Sequence, residues 1–180
     1  MAHIDTSSII RGSIWIQPTG EALHKIDAAM RGVHKRVGGP RFKPHLTLLM
    51  GIETTQEQAE QSLRKLALHV KPFTVQLSRI GWRHDYYRCL FVTVELTEDL
   101  AAAHRIAHEV FDMNPPDPFV PHISLLYGDI HEPLQRQLAQ EAGGSVDASF
   151  VATGVQLTNA NLDRPVTDWR ILSERRFTAS

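Results

Sequence analysis

The sequence predicts an α+β fold made of two similar halves. Three observations predict it: one motif is written twice, the strand–helix alternation restarts at mid-chain, and no linker or low-complexity stretch divides the halves. FKPHLTLL begins at Phe42 and FVPHISLL at Phe119, so their histidines, His45 and His122, lie 77 positions apart (122 − 45). In that register Pro44 meets Pro121, Thr47 meets Ser124, Leu48 and Leu49 meet Leu125 and Leu126, and Gly51 meets Gly128. Upstream, Ile14 meets Phe91, Ile16 meets Thr93 and Leu23 meets Leu100; downstream, Phe73 meets Phe150. A register kept over so long a span indicates a duplicated strand–helix–strand–helix–strand unit. The repeat covers roughly residues 10–85 and 86–160, with a C-terminal strand over 168–178, and residues 1–180 form a single domain.

The first unit opens with the alternating segment IIRGSIWIQP, a strand closed by Pro18. Leu23, Ile26, Met30 and Val33 then recur at helical spacing, with Thr19 as N-cap and Gly38-Gly39-Pro40 as the stop. PHLTLLMGI is the motif strand. TTQEQAEQSLRKLALHV is a second helix, opened by Thr54 or Thr55 with Glu57 in its first turn. FTVQLSRIGWRH closes the unit. The second unit repeats this order. YRCLFVTVEL is a strand, Thr97 caps EDLAAAHRIAHEVF, and the proline-rich NPPDPFVP leads into the motif strand HISLLYGDI. EPLQRQLAQEA is a helix; SFVATGVQLTNAN and DWRILSERRFT are strands. Because each half begins and ends with strands, two antiparallel sheets facing one another can exchange strands between halves.

Composition narrows the function. Hydrophobic content of 42% and charged content of 22% are ordinary for a globular protein. The absence of any apolar run near 18 residues predicts no membrane span, and the N-terminus does not have the pattern of a signal peptide. Cys89 is the only cysteine, which excludes an internal disulfide and points to a reducing, cytoplasmic setting; within RCLFVTVEL it is expected as a buried small hydrophobe in a central strand. The net charge is −1 with no basic block, so a small nucleotide is a better partner than a long nucleic acid. Of the ten histidines, His24, His34, His69, His104 and His108 fall in helices and are expected to be solvated or half-buried. His104 and His108 stand at i and i+4, but without a third ligand nearby no metal site is assigned.

The chemistry lies in the motifs. Residues i and i+2 of a strand share a face, so His45 projects with Thr47, and His122 with Ser124. Pro44 and Pro121 hold the preceding backbone extended. If the halves pack about a twofold axis, two imidazoles and two hydroxyls converge across a groove. One imidazole can take a proton while the other gives one, and hydroxyls can donate to non-bridging phosphoryl oxygens. That set suits attack on a phosphodiester. A strained cyclic diester needs no metal, so no cofactor is expected. Generic packing would keep the leucines of a duplication but has no reason to keep both histidines. Trp15, Phe42, Tyr87 and Tyr127 lie in or beside groove elements and are candidates for gripping a base. Phe42 and Phe119 have a competing role, wedging a loop against the core. Trp82, Tyr86 and Tyr87 lie in the expected hairpin turn GWRHDYYRC, as a lid or as a hydrophobic edge. Arg41 and Lys43 flank the first motif and are expected as solvated loop charges.

The two motifs, His45-Leu46-Thr47 and His122-Ile123-Ser124, resemble the paired H-x-(T/S) signature of the 2H phosphoesterase superfamily, most closely that of plant-type cyclic phosphodiesterases. GPRFKPHLTLL, FVPHISLLYGDI and the first strand SIWIQP carry the resemblance, which spans nearly the whole chain. It implies a bilobal fold and metal-independent hydrolysis of nucleoside 2′,3′-cyclic phosphates to 2′-phosphates, or of ADP-ribose 1″,2″-cyclic phosphate. It carries catalytic roles to His45, Thr47, His122 and Ser124, a phosphate or ribose contact to Tyr127 and a groove-facing role to Trp15. His122 is preferred as the base and His45 as the acid, although the symmetry admits the reverse. The extra cysteines of plant members are missing here, so redox control is not transferred. Two other readings stay open: a 2H enzyme acting on RNA ends, and a nucleotide-binding module without turnover. A monomer without membrane association is expected.

Overall fold

The computed structural model describes residues 8–115 and 118–179. The N-terminal residues, together with Pro116 and Asp117 of the proline-rich segment, lie outside the described residues. The elements run β1 (Ile9–Ile16), α1 (Gly20–Val37), β2 (Leu46–Thr55), α2 (Gln56–His69), β3 (Phe73–Gly81), a 3₁₀ turn (Tyr86–Arg88), β4 (Leu90–Val94), α3 (Glu98–Val110), β5 (His122–Leu126), α4 (Glu132–Glu141), β6 (Ser149–Ala152), β7 (Gly154–Thr158), a second 3₁₀ turn (Val166–Asp168) and β8 (Ile171–Arg176). Among the described residues no helix is long and apolar enough to cross a membrane.

Each helix starts where its sequence provides a cap. Thr55 accepts from the Gln58 amide, and the Gln58 side chain completes the capping box. Thr97 accepts from the Leu100 amide and His131 from the Leu134 amide. Thr19 stands at the head of α1 without a side-chain cap; the first turn closes instead through the Leu23 amide on the Thr19 carbonyl. Ile26, Met30 and Val33 form the buried face of α1, with Ala22 rather than Leu23 as its first fully buried residue.

All eight strands join one curled antiparallel sheet in the order β6-β3-β4-β5-β2-β1-β7-β8. The two expected sheets are its four-stranded halves, and they do exchange strands. β3 belongs to the first unit in sequence yet pairs with β4 of the second, while β7 of the second pairs with β1. The helices cross over too: α1 packs on β5 and β6, and α3 on β2 and β3. SFVATGVQLTNAN is therefore not one strand. The chain leaves the ladder at Thr153, so that β6 borders β3 at one edge and β7 lies in the other half. The 77-residue register accordingly fails after the second helix: Phe150 pairs with Val75 of β3, and the strand that takes the place of β3 in the other half is β7.

The register also slips by one in the opening strands. Trp15 pairs with Thr47 as Phe91 pairs with Ser124, and Ile16 pairs with Leu46 as Val92 pairs with Ile123. Trp15 therefore corresponds to Phe91, in place of Ile14. A one-residue slip moves every side chain to the opposite face, so this correspondence decides which ring reaches the motif histidine. Both motif strands carry an irregularity at the same point: the ladder skips Leu48 between Ile14 and Trp15, and Leu125 between Leu90 and Phe91.

The halves meet where β2 runs antiparallel to β5, with Leu46 registered against Ile123. Both side chains are fully buried within the continuous core. Leu46→Ala is expected to lower the unfolding free energy by ~2–5 kcal/mol in urea titration; a loss below ~1 kcal/mol would show that the seam is not packed as core.

Candidate active site

Counting outward from the Leu46–Ile123 pair in an antiparallel ladder sets Thr47 opposite His122 and His45 opposite Ser124. Each imidazole thus faces the hydroxyl of the other motif. All four line one cavity of about 570 Å³, together with Trp15, Tyr87, Tyr127, Trp169 and, further along, residues of α3. The volume lies in the range of small-molecule sites.

The two histidines are held alike. His45 Nδ1 lies 2.7 Å from the Lys43 carbonyl and His122 Nδ1 lies 3.0 Å from the Val120 carbonyl, the same i−2 position in both motifs. A carbonyl only accepts, so in each ring Nδ1 carries the hydrogen and Nε2 is left bare. The neutral tautomer is thereby fixed before any ligand arrives. Trp15 stacks on His45 with ring centroids 3.7 Å apart, and Phe91 meets His122 edge-on at 5.3 Å.

Burial lowers the pKa of His45 to about 4; the Lys43 carbonyl opposes the shift and the His122 ring adds to it. His122 is also lowered, chiefly by burial, with its Val120 carbonyl opposing; the guanidiniums of Arg88 and Arg83 lower it further, and Asp85 pulls it back up. Both rings are therefore neutral at neutral pH. Burial raises the pKa of the Tyr127 phenol, which keeps it a neutral hydroxyl.

Thr47 is half-buried with its side chain on the cavity wall. Ser124 is 6% exposed, and its hydroxyl donates to the Tyr87 carbonyl at 3.1 Å. That bond ties β5 to the Tyr86–Arg88 turn, so serving a phosphoryl oxygen requires the Ser124 hydroxyl to rotate. The turn is well anchored: the Gly128 amide donates to the Tyr86 carbonyl, and the Gln135 amide donates to the carbonyls of Arg83 and Cys89. The GWRHDYYRC segment thus forms a fixed wall, with Trp82 partly buried against the core, Tyr86 exposed and Tyr87 on the cavity. Cys89 is fully buried just before β4, between β3 and β5 in the sheet order.

Phe42 does not reach the cavity wall. It stacks behind Tyr127 at 3.9 Å and packs on the core, as the wedge role requires. Arg41 and Lys43 are exposed and off the wall. Trp169, His104 and His108 are among the cavity residues that were not singled out for it from sequence. Trp169 lies nearly parallel to Tyr87 with centroids 6.3 Å apart, and Tyr127 stands edge-on to both. The indole N–H donates to the Asn161 carbonyl and the Tyr87 hydroxyl to the Leu162 carbonyl, so adjacent residues of one turn hold both rings. His104 and His108 are buried and face the cavity, against the expectation of solvated or half-buried helix positions; the helical period placed them on α3 but gave no sign of what that face would meet.

The chain is similar to known proteins in sequence and in fold. The sequence profile of the 2′-5′ RNA ligase superfamily matches residues 17–164. A cyclic phosphodiesterase of Arabidopsis thaliana is 24% identical over 160 residues, covering 89% of this chain and 88% of the relative. A putative phosphoesterase of Oceanobacillus iheyensis is 33% identical over 93 residues, 48% of this chain. In fold, the chain is similar to the TT0787 protein of Thermus thermophilus, with a TM-score of 0.68 and 18% identity over 94% of this chain and 99% of that one. It is also similar to the E. coli LigT protein complexed with phosphate, with a TM-score of 0.63 and 19% identity over 94% and 98% of the chains.

The His45 ring is expected to titrate near pH 4 in NMR and to keep its Nδ1–H tautomer through neutrality. Because its folded pKa lies below the unfolded value, the unfolded chain binds more protons and stability falls as pH drops from about 6.5 towards 4. A midpoint at or above 6.5 would contradict the burial described.

Proposed function

This chain belongs to the 2′-5′ RNA ligase superfamily of 2H phosphoesterases, and from that premise we propose that it hydrolyses cyclic phosphodiesters of small nucleotides through His45 and His122. The observation that carries the reading is the pair of bare Nε2 atoms, one from each motif strand, with the hydroxyls of Thr47 and Ser124 opposite them across the seam. The name of the Arabidopsis relative agrees with it.

In this mechanism the cyclic phosphate sits over the Leu46–Ile123 pair. His122 Nε2 takes a proton from water as the water oxygen bonds to phosphorus. The bond from phosphorus to one ribose oxygen breaks, and His45 Nε2–H gives that oxygen its proton. A 2′,3′-cyclic phosphate opened at O3′ leaves a 2′-phosphate. Burial, and after it the guanidiniums of Arg88 and Arg83, disfavour protonation of His122 and suit it to the base role. His45 gains its proton when the anion arrives, because an ion pair is strongest in the more buried surroundings. Thr47, and Ser124 once it releases the Tyr87 carbonyl, donate to the non-bridging oxygens. Ring strain and two protein proton carriers supply the activation, so no step calls on a metal.

The wall also bears on substrate. Among the described residues its only fixed charges are Arg88 and Asp85, and these are paired at 2.8 Å. A diphosphate would find no free cation there, which favours a nucleoside 2′,3′-cyclic phosphate over ADP-ribose 1″,2″-cyclic phosphate. The nucleoside lies at the end lined by Trp15, Tyr87, Tyr127 and Trp169.

Incubation with a nucleoside 2′,3′-cyclic phosphate in EDTA is expected to yield the 2′-phosphate. His45→Ala and His122→Ala should each lower turnover by roughly 10²–10⁴-fold, and Thr47→Val should cost ~2–4 kcal/mol of transition-state stabilisation. Loss of activity on chelation, or near-normal kcat in either histidine variant, would contradict the mechanism. The pH profile is a separate check. Because kcat/KM reports the free protein and both imidazoles are lowered, its bell should peak below pH 6.5, while kcat should lie at higher pH as bound phosphate raises both groups. A kcat/KM maximum above pH 7 would reject it.

A further inference from the structure

The buried face of α4 carries Gln135 together with Leu138 and Ala139. Gln135 is 1% exposed, and an amide at so dry a position is costly unless it is hydrogen-bonded. Its Nε2 donates to the Arg83 carbonyl at 2.9 Å and to the Cys89 carbonyl at 3.1 Å. Both hydrogens of one amide group are thereby spent near the two ends of the segment that joins β3 to β4. Its Oε1 is buried and accepts no hydrogen bond among the described residues, so this glutamine acts through its donors.

The other half uses a different tie. By the Trp15–Phe91 correspondence, Ser13 takes the place of Cys89. The Ser13 hydroxyl donates to the Ala160 carbonyl at 2.6 Å, ahead of the turn that carries Trp169. A thiol is a weak donor, and at Cys89 the tie comes from α4 instead.

The residues inside the clamp belong to the site. Arg88 donates twice to Asp85 Oδ2, at 2.8 and 2.9 Å, and the Tyr87 amide donates to Asp85 Oδ1. Asp85, Tyr87 and Arg88 stand on the cavity wall. The Tyr87 carbonyl receives the Ser124 hydroxyl. After burial, it is Arg88 and Arg83 that lower the proton affinity of His122, with the Val120 carbonyl and Asp85 opposing. No fixed charge from another element joins this set. β4 has no ionisable side chain, and α1, which also packs on β5, sends no residue to the cavity. The β2 side contributes the His45 ring, and α3 the rings of His104 and His108. Tyr127 is a neutral phenol. The 83–89 segment therefore sets where the charges lie relative to His122.

We propose that Gln135 is a positioning residue for the reaction: its amide clamps the 83–89 segment, so that the guanidiniums and the carboxylate stay beside His122 and the Tyr87 carbonyl stays in reach of the Ser124 hydroxyl. The reaction it serves is the hydrolysis proposed above, while the clamp itself is measurable without turnover. Removing the amide frees both carbonyls, lets water reach His122 and lets the guanidiniums retreat. Each change raises the proton affinity of the ring.

Gln135→Met, of similar length and without a donor, tests this by NMR titration of the His122 and His45 rings and by kinetics on a nucleoside 2′,3′-cyclic phosphate. His122 should titrate higher than in the wild type, towards 6.5, while His45, lowered first by its own burial, should stay near 4. kcat should fall roughly ten- to a hundredfold, with KM changed less. Gln135→Asn, too short to reach both carbonyls yet still an amide, gives the same readout at less risk to folding. Leu138→Ala, at an equally buried apolar position on α4, is the control: it should lower stability and leave the His122 titration unchanged. A folded Gln135→Met protein in which His122 titrates as in the wild type, or in which kcat is unchanged, would overturn the proposal. So would an equal shift of His122 in Leu138→Ala. If the wild type turns over no cyclic nucleotide while His122 still moves in the Gln135 variants alone, the hydrolytic reading falls and the clamp stands.

Discussion

The pairing of β2 with β5 at Leu46 and Ile123 is the constraint on which the rest of the site depends. Those side chains enter the core, so by the alternation of a strand their neighbours on either side turn to the opposite face. Those neighbours are His45, Thr47, His122 and Ser124. One contact at the twofold position therefore does two jobs. It fuses two four-stranded half-sheets into one sheet, and it sets two imidazoles and two hydroxyls around the join. A shift of one residue at this point would turn the histidines into the core and Leu46 and Ile123 onto the cavity.

The surroundings tune what the seam brings together. Each histidine spends its Nδ1 hydrogen on the carbonyl two residues before it, so both rings present the same bare nitrogen. Stacking under Trp15 buries His45 deeply, while the Arg88–Asp85 pair gives His122 a more polar neighbourhood. Identical motifs thus acquire unequal proton affinities from unequal walls. The same divergence divides the cavity into an aromatic end and an imidazole–thioether end, because Tyr127 on one side corresponds to Met50 on the other.

Much of this was legible in the chain. The repeated Phe-x-Pro-His spacing identified the motif strands and the four side chains that meet, since a period of two is a local property. The helices followed from apolar spacing and, for α2 and α3, from the capping threonines Thr55 and Thr97, which are local as well. Cys89 is buried as its apolar run implied, although it lies just before β4 and not within it. Other parts were hidden for definite reasons. The slip that matches Trp15 with Phe91 comes from an irregularity between paired strands, visible only when both are present. The break at Thr153 lies inside an unbroken β-like run and is imposed by two ladders claiming its halves. Ser124 looked like a free donor, and its bond to the Tyr87 carbonyl joins residues 37 positions apart.

The sequence by itself determined the paired motifs, the order of the helices and of most strands, and which four side chains, His45, Thr47, His122 and Ser124, share a face with their motif partner, because these rest on short-range periodicity and on residue type. Tertiary structure alone decided which strands exchange between halves, which rings wall the cavity, and how far each imidazole is shifted. It brought in Trp169 from the C-terminal segment and turned His104 and His108 towards the space. Burial, stacking and register are relations between distant segments, and no single segment contains them.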